Sequence, residues 1–191
     1  MVSKGLDFEH VKLVGIFDAD RIIHFPDFRS HERAFQLITQ VSGRSGRKSE
    51  RGQVIIQSAD TSQPILQHIK EGHLDLFYTQ EMYERRDFKY PPYHRIIKVI
   101  FRHKDPVTAQ QASSRYNAMI RKVIGEDRLL GPIEPMINRI RNLYIQELIL
   151  KVEKNVKNLQ SIKEYLSGSK QALLALPEFK SVLIHFDVDP V

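Results

Sequence analysis

Cysteine is absent from these 191 residues. That excludes disulfides and thiolate metal sites within the chain, is compatible with a reducing compartment, and leaves no expectation of a cysteine-built zinc site. No apolar run approaches the roughly 20 residues that cross a bilayer, and the N-terminus lacks a signal-peptide pattern, so a soluble protein is expected. No Ser/His/Asp or Cys/His constellation for nucleophilic catalysis stands out. The eight histidines show no metal-ligand spacing, and His31, next to Glu32, reads as a surface residue near a helix start. Asp18-Ala-Asp20 offers two hard carboxylates without a convergent third ligand. No bound metal is therefore expected.

What is present is ordinary globular composition: 41% hydrophobic and 27% charged residues, enough for one good core or two small ones. The net charge of +6 is unevenly placed. Residues 1–90 hold thirteen Lys and Arg against thirteen Asp and Glu, whereas residues 91–191 hold sixteen against ten. The excess thus lies in the second half, which is where polyanions would be attracted, although a basic excess specifies neither a DNA site nor a fold.

The patterning supports two units. Val11 to Phe17 is a short apolar run suited to a buried parallel strand, and it delivers Asp18 and Asp20 at its C-terminal end. Ser30 can cap a helix whose apolar face carries Phe35, Ile38 and Val41, with Gly43 ending it. Gly52 to Ser58, around Val54-Ile55-Ile56, gives another strand. Strand, helix, strand is the order of an α/β lobe. Two helical stretches follow at Pro64 to Glu71 and Asp75 to Arg86, the second bearing Glu81, Glu84, Arg85 and Arg86 on what reads as a solvated face. Pro91-Pro92 forbids helix and makes Tyr90 to Tyr93 the boundary, dividing the chain into 1–90 and 91–191. The tyrosines there could stack a base or pack the two units together. Beyond the boundary the order is strand (95–103), helix (106–124), strand (128–138), strand (143–152), helix (158–176) and strand (180–187), a βαββαβ arrangement of the ferredoxin-like kind. Between its two middle strands, Arg139 and Arg141 read as a hairpin loop. With Lys151, Lys154 and Lys157 they are candidates for a phosphate-contacting patch, or for a solvated hairpin without a partner.

Residues 40–47, Gln-Val-Ser-Gly-Arg-Ser-Gly-Arg, can present two guanidinium groups on one side of a turn, with Gly43 and Gly46 keeping the backbone slim. Arginines so placed stabilise charge on a transferring phosphate, and Gln40 could reach the same ligand; a basic surface turn closing a helix is the other reading. Together with Asp27-Phe-Arg-Ser-x-Glu-Arg33, the opening Met1 to Phe8, Tyr90-Pro-Pro-Tyr93 and the terminal Asp187-Val-Asp-Pro190, this octet resembles the bacterial primosomal protein N′ (PriA) family, over the whole chain. The order resembles motifs five and six of superfamily-two helicases.

The resemblance implies an ATP-dependent 3′-to-5′ DNA helicase, a nucleotide-binding hydrolase of the bacterial cytoplasm and nucleoid. Such proteins recognise stalled replication forks and restart DNA replication through primosome proteins, with single-strand-binding protein as a further expected partner. It implies α/β plus α+β architecture: residues 1–90 as a partial RecA-like second motor lobe, residues 91–191 as a ferredoxin-like DNA-binding or docking domain. Carried over residue by residue, Gly5 and Asp7 match motif-five positions lining the nucleotide cleft, with Ser3 and Lys4 near the DNA strand path. Gln40, Gly43, Arg44 and Arg47 match motif six, Arg44 and Arg47 as γ-phosphate contacts, one of them an arginine finger. The family's nucleotide-binding loop, magnesium box and zinc-binding cysteines lie upstream of the matched segment. The isolated chain is therefore expected to bind no cofactor and not to turn over ATP.

Overall fold

A computed structural model describes residues 11–43, 52–154 and 159–190. The chain forms two compact units, Met1–Arg85 and Arg86–Val191. Both mix helices and strands, and among the described residues no helix is long and apolar enough to cross a membrane.

In the first unit, β1 (Leu13–Ile16) and β2 (Gln53–Ile56) pair in parallel, Leu13 opposite Gln53 and Ile16 opposite Ile56. A parallel pair needs a crossover. Here α1 (Asp20–Ile23) and α2 (Ser30–Ser42) lie between the strands in sequence, and α3 (Pro64–Glu71) and α4 (Leu74–Asp87) follow. Period-two alternation turns Ile16 and Ile56 towards a core of Ala19, Ile23, Ala34, Phe35, Ile65, Leu66 and Phe77. Leu13 and Ile55, of opposite parity, stay more than half exposed. Phe35 and Phe77 stack with centroids 4.3 Å apart, joining α2 to α4. Local sequence punctuates these helices: Pro64 occupies the first turn of α3, and Gly72, at φ 72°, ends it in the left-handed region that glycine enters without strain.

Ser30 does not cap α2. It is already helical, and the residue before the helix, Arg29, makes no side-chain cap. Asp27 organises the turn instead, one carboxylate oxygen accepting from Arg29 N at 2.8 Å and the other from Arg33 Nη1 at 3.0 Å.

In the second unit, β3 (His94–His103), β4 (Leu129–Ile133), β6 (Leu143–Glu153) and β7 (Leu183–Val188) form an antiparallel sheet in the order β4-β6-β3-β7, and the short β5 (Arg139–Ile140) pairs with β6. Helices α5 (Pro106–Ile124) and α6 (Leu159–Leu174) complete it. Asp105 caps α5 by accepting from Thr108 N at 2.8 Å, and Pro106 starts the helix where its missing N–H costs nothing. Ile97, Val99 and Phe101 of β3, Leu148, Leu150 and Val152 of β6, Tyr116 and Ile120 of α5, and Leu166 and Leu173 of α6 share one core. Tyr116 is wholly buried, and its hydroxyl donates to Leu166 O at 2.9 Å.

The expected strand over 128–138 is shorter. β4 ends at Ile133, and its register against β6 shifts between Leu130 and Ile133. Gly131 sits at this irregularity with φ 103°, and a Cβ there would lie 2.8 Å from Glu147 O. Only glycine fits that backbone approach.

Candidate functional site

The first unit carries a lock between α2 and α4 built from the segment 27–33. Phe28 lies beneath two guanidinium groups, Arg29 at 5.0 Å and Arg85 at 5.4 Å. Arg85 Nη2 bonds Glu32 Oε2 at 2.7 Å and approaches Glu81 Oε2 at 3.6 Å, while Glu81 Oε1 lies 3.1 Å from His31 Nδ1. That hydrogen bond raises the pKa of His31 above its ordinary value. The solvated face expected for α4 is thereby corrected at Glu81 and Arg85, while Arg86 is exposed. Glu81 is 6% exposed and the Arg85 side chain 14%, because packing α4 on α2 turns these charges inward, where opposite charge compensates their lost hydration. Glu84 lies one turn from Glu81, and its donor oxygen converges with those of His31 and Glu81 within 4.8 Å. Sequence spacing could not reveal this cluster, since His31 and Glu81 are fifty residues apart.

Asp20 is committed to structure. Its carboxylate accepts from Ser58 Oγ and Gln63 Nε2, each at 2.8 Å, and from Ala59 N at 2.7 Å, tying the end of β1 to the loop after β2. The Ala59 N–H, then Ser58 and Gln63, hold its pKa below the ordinary carboxylate value. Beside it, at the carboxyl end of β1, an open pocket of about 520 Å³ is lined by Phe17, Asp18, Arg21, Ile22, Phe25, Ser30 and Arg33. The carboxyl ends of parallel strands are where α/β sheets receive ligands.

Of the motif-six positions, Gln40 and Gly43 are exposed at the C-terminal end of α2, which Gly43 closes in right-handed geometry at φ −64°. Arg44 and Arg47, with the motif-five positions Ser3, Lys4, Gly5 and Asp7, lie outside the described residues, as does Lys157.

In the second unit the proposed basic patch divides. Arg139, Arg141 and Lys154 are exposed. Arg139 is steadied by Asn142 Oδ1 at 3.1 Å and by the Tyr144 ring at 4.9 Å. Arg141 and Asn142 both have positive φ, 49° and 62°, forming the two-residue turn between β5 and β6 and holding Arg141 at its tip. Lys151 is a correction. It is 7% exposed, its ammonium donates to Phe88 O at 2.6 Å and sits 3.7 Å from the centroid of the Tyr90 ring. Strand parity explains this: Lys151 pairs with Ile96 on β3, at a point covered by the chain around Phe88 and Tyr90. Burial lowers its pKa.

A groove of about 660 Å³ lies between the turn before α5 and the β5–β6 hairpin, with His103, Lys104, Arg139, Tyr144 and Ser181 among its walls. His103 Nδ1 receives the Asp105 N–H at 3.0 Å and lies 3.2 Å from Asp105 O, and its Nε2 lies 3.0 Å from Ser181 Oγ.

The second unit is thus a basic α+β domain, with Arg139 and Arg141 exposed at the β5–β6 hairpin and Lys154 exposed beyond the other end of β6. The chain belongs to the family of the primosomal protein N C-terminal domain, whose family model matches residues 86–191. It is similar over its whole length to proteins named replication restart protein PriA: 37% identical to that of Bacillus subtilis (strain 168), covering 23% of that relative. For Treponema pallidum (strain Nichols) the figures are 33% and 28%, and for Synechocystis 34% and 22%. The chain spans about a quarter of the length of these curated relatives.

Proposed function

We propose that the chain is the C-terminal part of an ATP-dependent 3′-to-5′ DNA helicase that recognises stalled forks and restarts replication through primosome assembly. The first unit, in this reading, is a partial RecA-like second motor lobe. Arg44 and Arg47 contact the γ-phosphate, Gly5, Asp7, Gln40 and Gly43 line the cleft, and Ser3 and Lys4 follow the DNA strand. ATP and magnesium bind when the facing lobe is present; the parent's zinc lies outside this chain. The supporting observation is the parallel β1–α2–β2 arrangement, whose helix ends with Gln40 and Gly43 exposed directly ahead of Arg44. Exposure of Leu13 and Ile55 on the outer face of that strand pair fits a sheet that is completed by further chain. Alanine at Arg44 or Arg47 in the full-length protein lowers ATP turnover by about a thousandfold, the scale of a lost arginine finger. Unchanged turnover in both variants would sink the assignment.

The second unit is read as a ferredoxin-like domain that holds branched or single-stranded DNA through Arg139, Arg141 and Lys154. Four antiparallel strands in the order β4-β6-β3-β7 with two helices support the fold reading. A second reading makes it a docking module for primosome partners or single-strand-binding protein, and exposed apolar residues favour it: Ile133, Met136, Ile137 and Ile140 are 45%, 75%, 68% and 44% exposed beside the hairpin. Fluorescence anisotropy of the chain with forked, duplex and single-stranded DNA across a salt series separates the two. Salt-sensitive affinity that weakens in Arg139→Ala/Arg141→Ala supports DNA contact. Absence of DNA affinity supports docking.

A further inference from the structure

We propose that His31, Glu81 and Glu84 bind one divalent first-row transition metal ion of the zinc class, which fastens α2 to α4 within the first unit. One donor atom from each residue lies within 4.8 Å of the other two. Glu81 and Glu84 are three residues apart on α4, so both carboxylates project from one helical face, and His31 approaches from the first turn of α2. The 3.1 Å separation of His31 Nδ1 and Glu81 Oε1 also suits two donors that each sit roughly 2.0 to 2.2 Å from a shared zinc ion.

Charge points the same way. Glu32, Glu81 and Glu84 carry three negative charges against one on Arg85, which touches the first two, so with His31 neutral, as a metal ligand must be, the excess of two is what a dication neutralises. The outer partners are also in place. Arg85 approaches the second oxygen of Glu81 at 3.6 Å, and Gln80 Nε2 donates to Glu84 Oε1 at 3.1 Å, fixing the orientation of both carboxylates. Glu81 is buried, but the His31 side chain is 41% exposed, which gives an ion a route from solvent and leaves positions for water. An imidazole nitrogen beside carboxylates selects zinc, cobalt or nickel over calcium and magnesium, which prefer oxygen alone.

The test is titration of the intact chain with Zn²⁺ by calorimetry and with Co²⁺ by visible absorption at neutral pH. The variants are His31→Asn and Glu84→Gln, with His73→Asn, whose partner is Glu71, as an off-site control. Glu81 is left unchanged because its loss would leave Arg85 without one of its two carboxylate partners. One ion per chain is expected, with affinity reduced about tenfold or more in each site variant and unaltered in the control. A wild-type chain that shows no saturable binding, or site variants that keep wild-type affinity, overturns the proposal. Paramagnetic broadening by Co²⁺ in the unaltered chain gives a reading independent of any substitution. Broadening centred on the amides of residues 30–32 and 80–85 supports the site, and broadening centred elsewhere overturns it.

Discussion

The two units solve the same packing problem with different completeness. Among the described residues the first unit's core comprises seven buried apolar side chains around a parallel pair of strands, and the second unit's comprises sixteen beneath an antiparallel sheet. The difference follows from strand direction. An antiparallel sheet can be helix-covered on one face and more polar on the other, and the second unit's other face mixes Lys98, Glu147 and His185 with the buried Ile96, Ile145 and Lys151. A parallel pair wants both faces covered. In the first unit helices cover the side of Ile16 and Ile56, while Leu13 at 56% and Ile55 at 59% exposure face outward. In the first unit the Glu32–Arg85–Glu81 chain also joins α4 to α2, beside the Phe35–Phe77 stack.

The comparison can be sharpened by substitution. The largest effect is expected for Phe101→Ala, which removes a wholly buried ring set edge-on to Tyr116 at 5.4 Å. It costs about 4 kcal/mol, read from urea unfolding of the second unit. Phe77→Ala removes the ring stacked on Phe35 and costs about 3 kcal/mol. In hydrogen exchange it should strip protection from α2 and α4 and leave β3 and β6 protected. Loss of protection in β3 and β6 as well would break the division into two units.

The smallest effect concerns acid. Because the folded pKa of Asp20 lies below its ordinary value of 3.8, the folded state holds its proton less tightly than the unfolded chain. The stabilisation is complete well above pH 3.8 and is lost as the pH falls through the folded value. Asp20→Asn should flatten that part of the stability-versus-pH curve. A curve parallel to wild type would mean that the ties to Ser58, Ala59 and Gln63 do not bear on folding.

Much of the local structure was legible. Pro64 starts α3, Pro106 starts α5, Gly43 closes α2, and the strands over 95–103 and 143–152 emerge as β3 and β6, because each of these depends on residues within a turn or two. The resemblance carried by residues 27–33 and 40–47 pointed to the family that the match over 86–191 shows. Position in the fold was less legible. Ser30 has the chemistry of a cap, yet Asp27 three residues earlier organises the turn. Lys151 has the charge of a phosphate ligand, yet strand register sets it beneath Tyr90.

The sequence by itself determined most of the longer helices and strands, the half of the chain that is basic, and the family, but not the end of β4 at Ile133 or the short α1 and β5. Only the tertiary structure decided that Glu81 and Arg85 face inward, that Lys151 is buried, and that His31 meets Glu81 and Glu84. The reason is physical: propensity, capping and periodicity act over a few bonds, whereas burial and charge pairing depend on which faces meet after residues fifty positions apart are brought to within 3.1 Å.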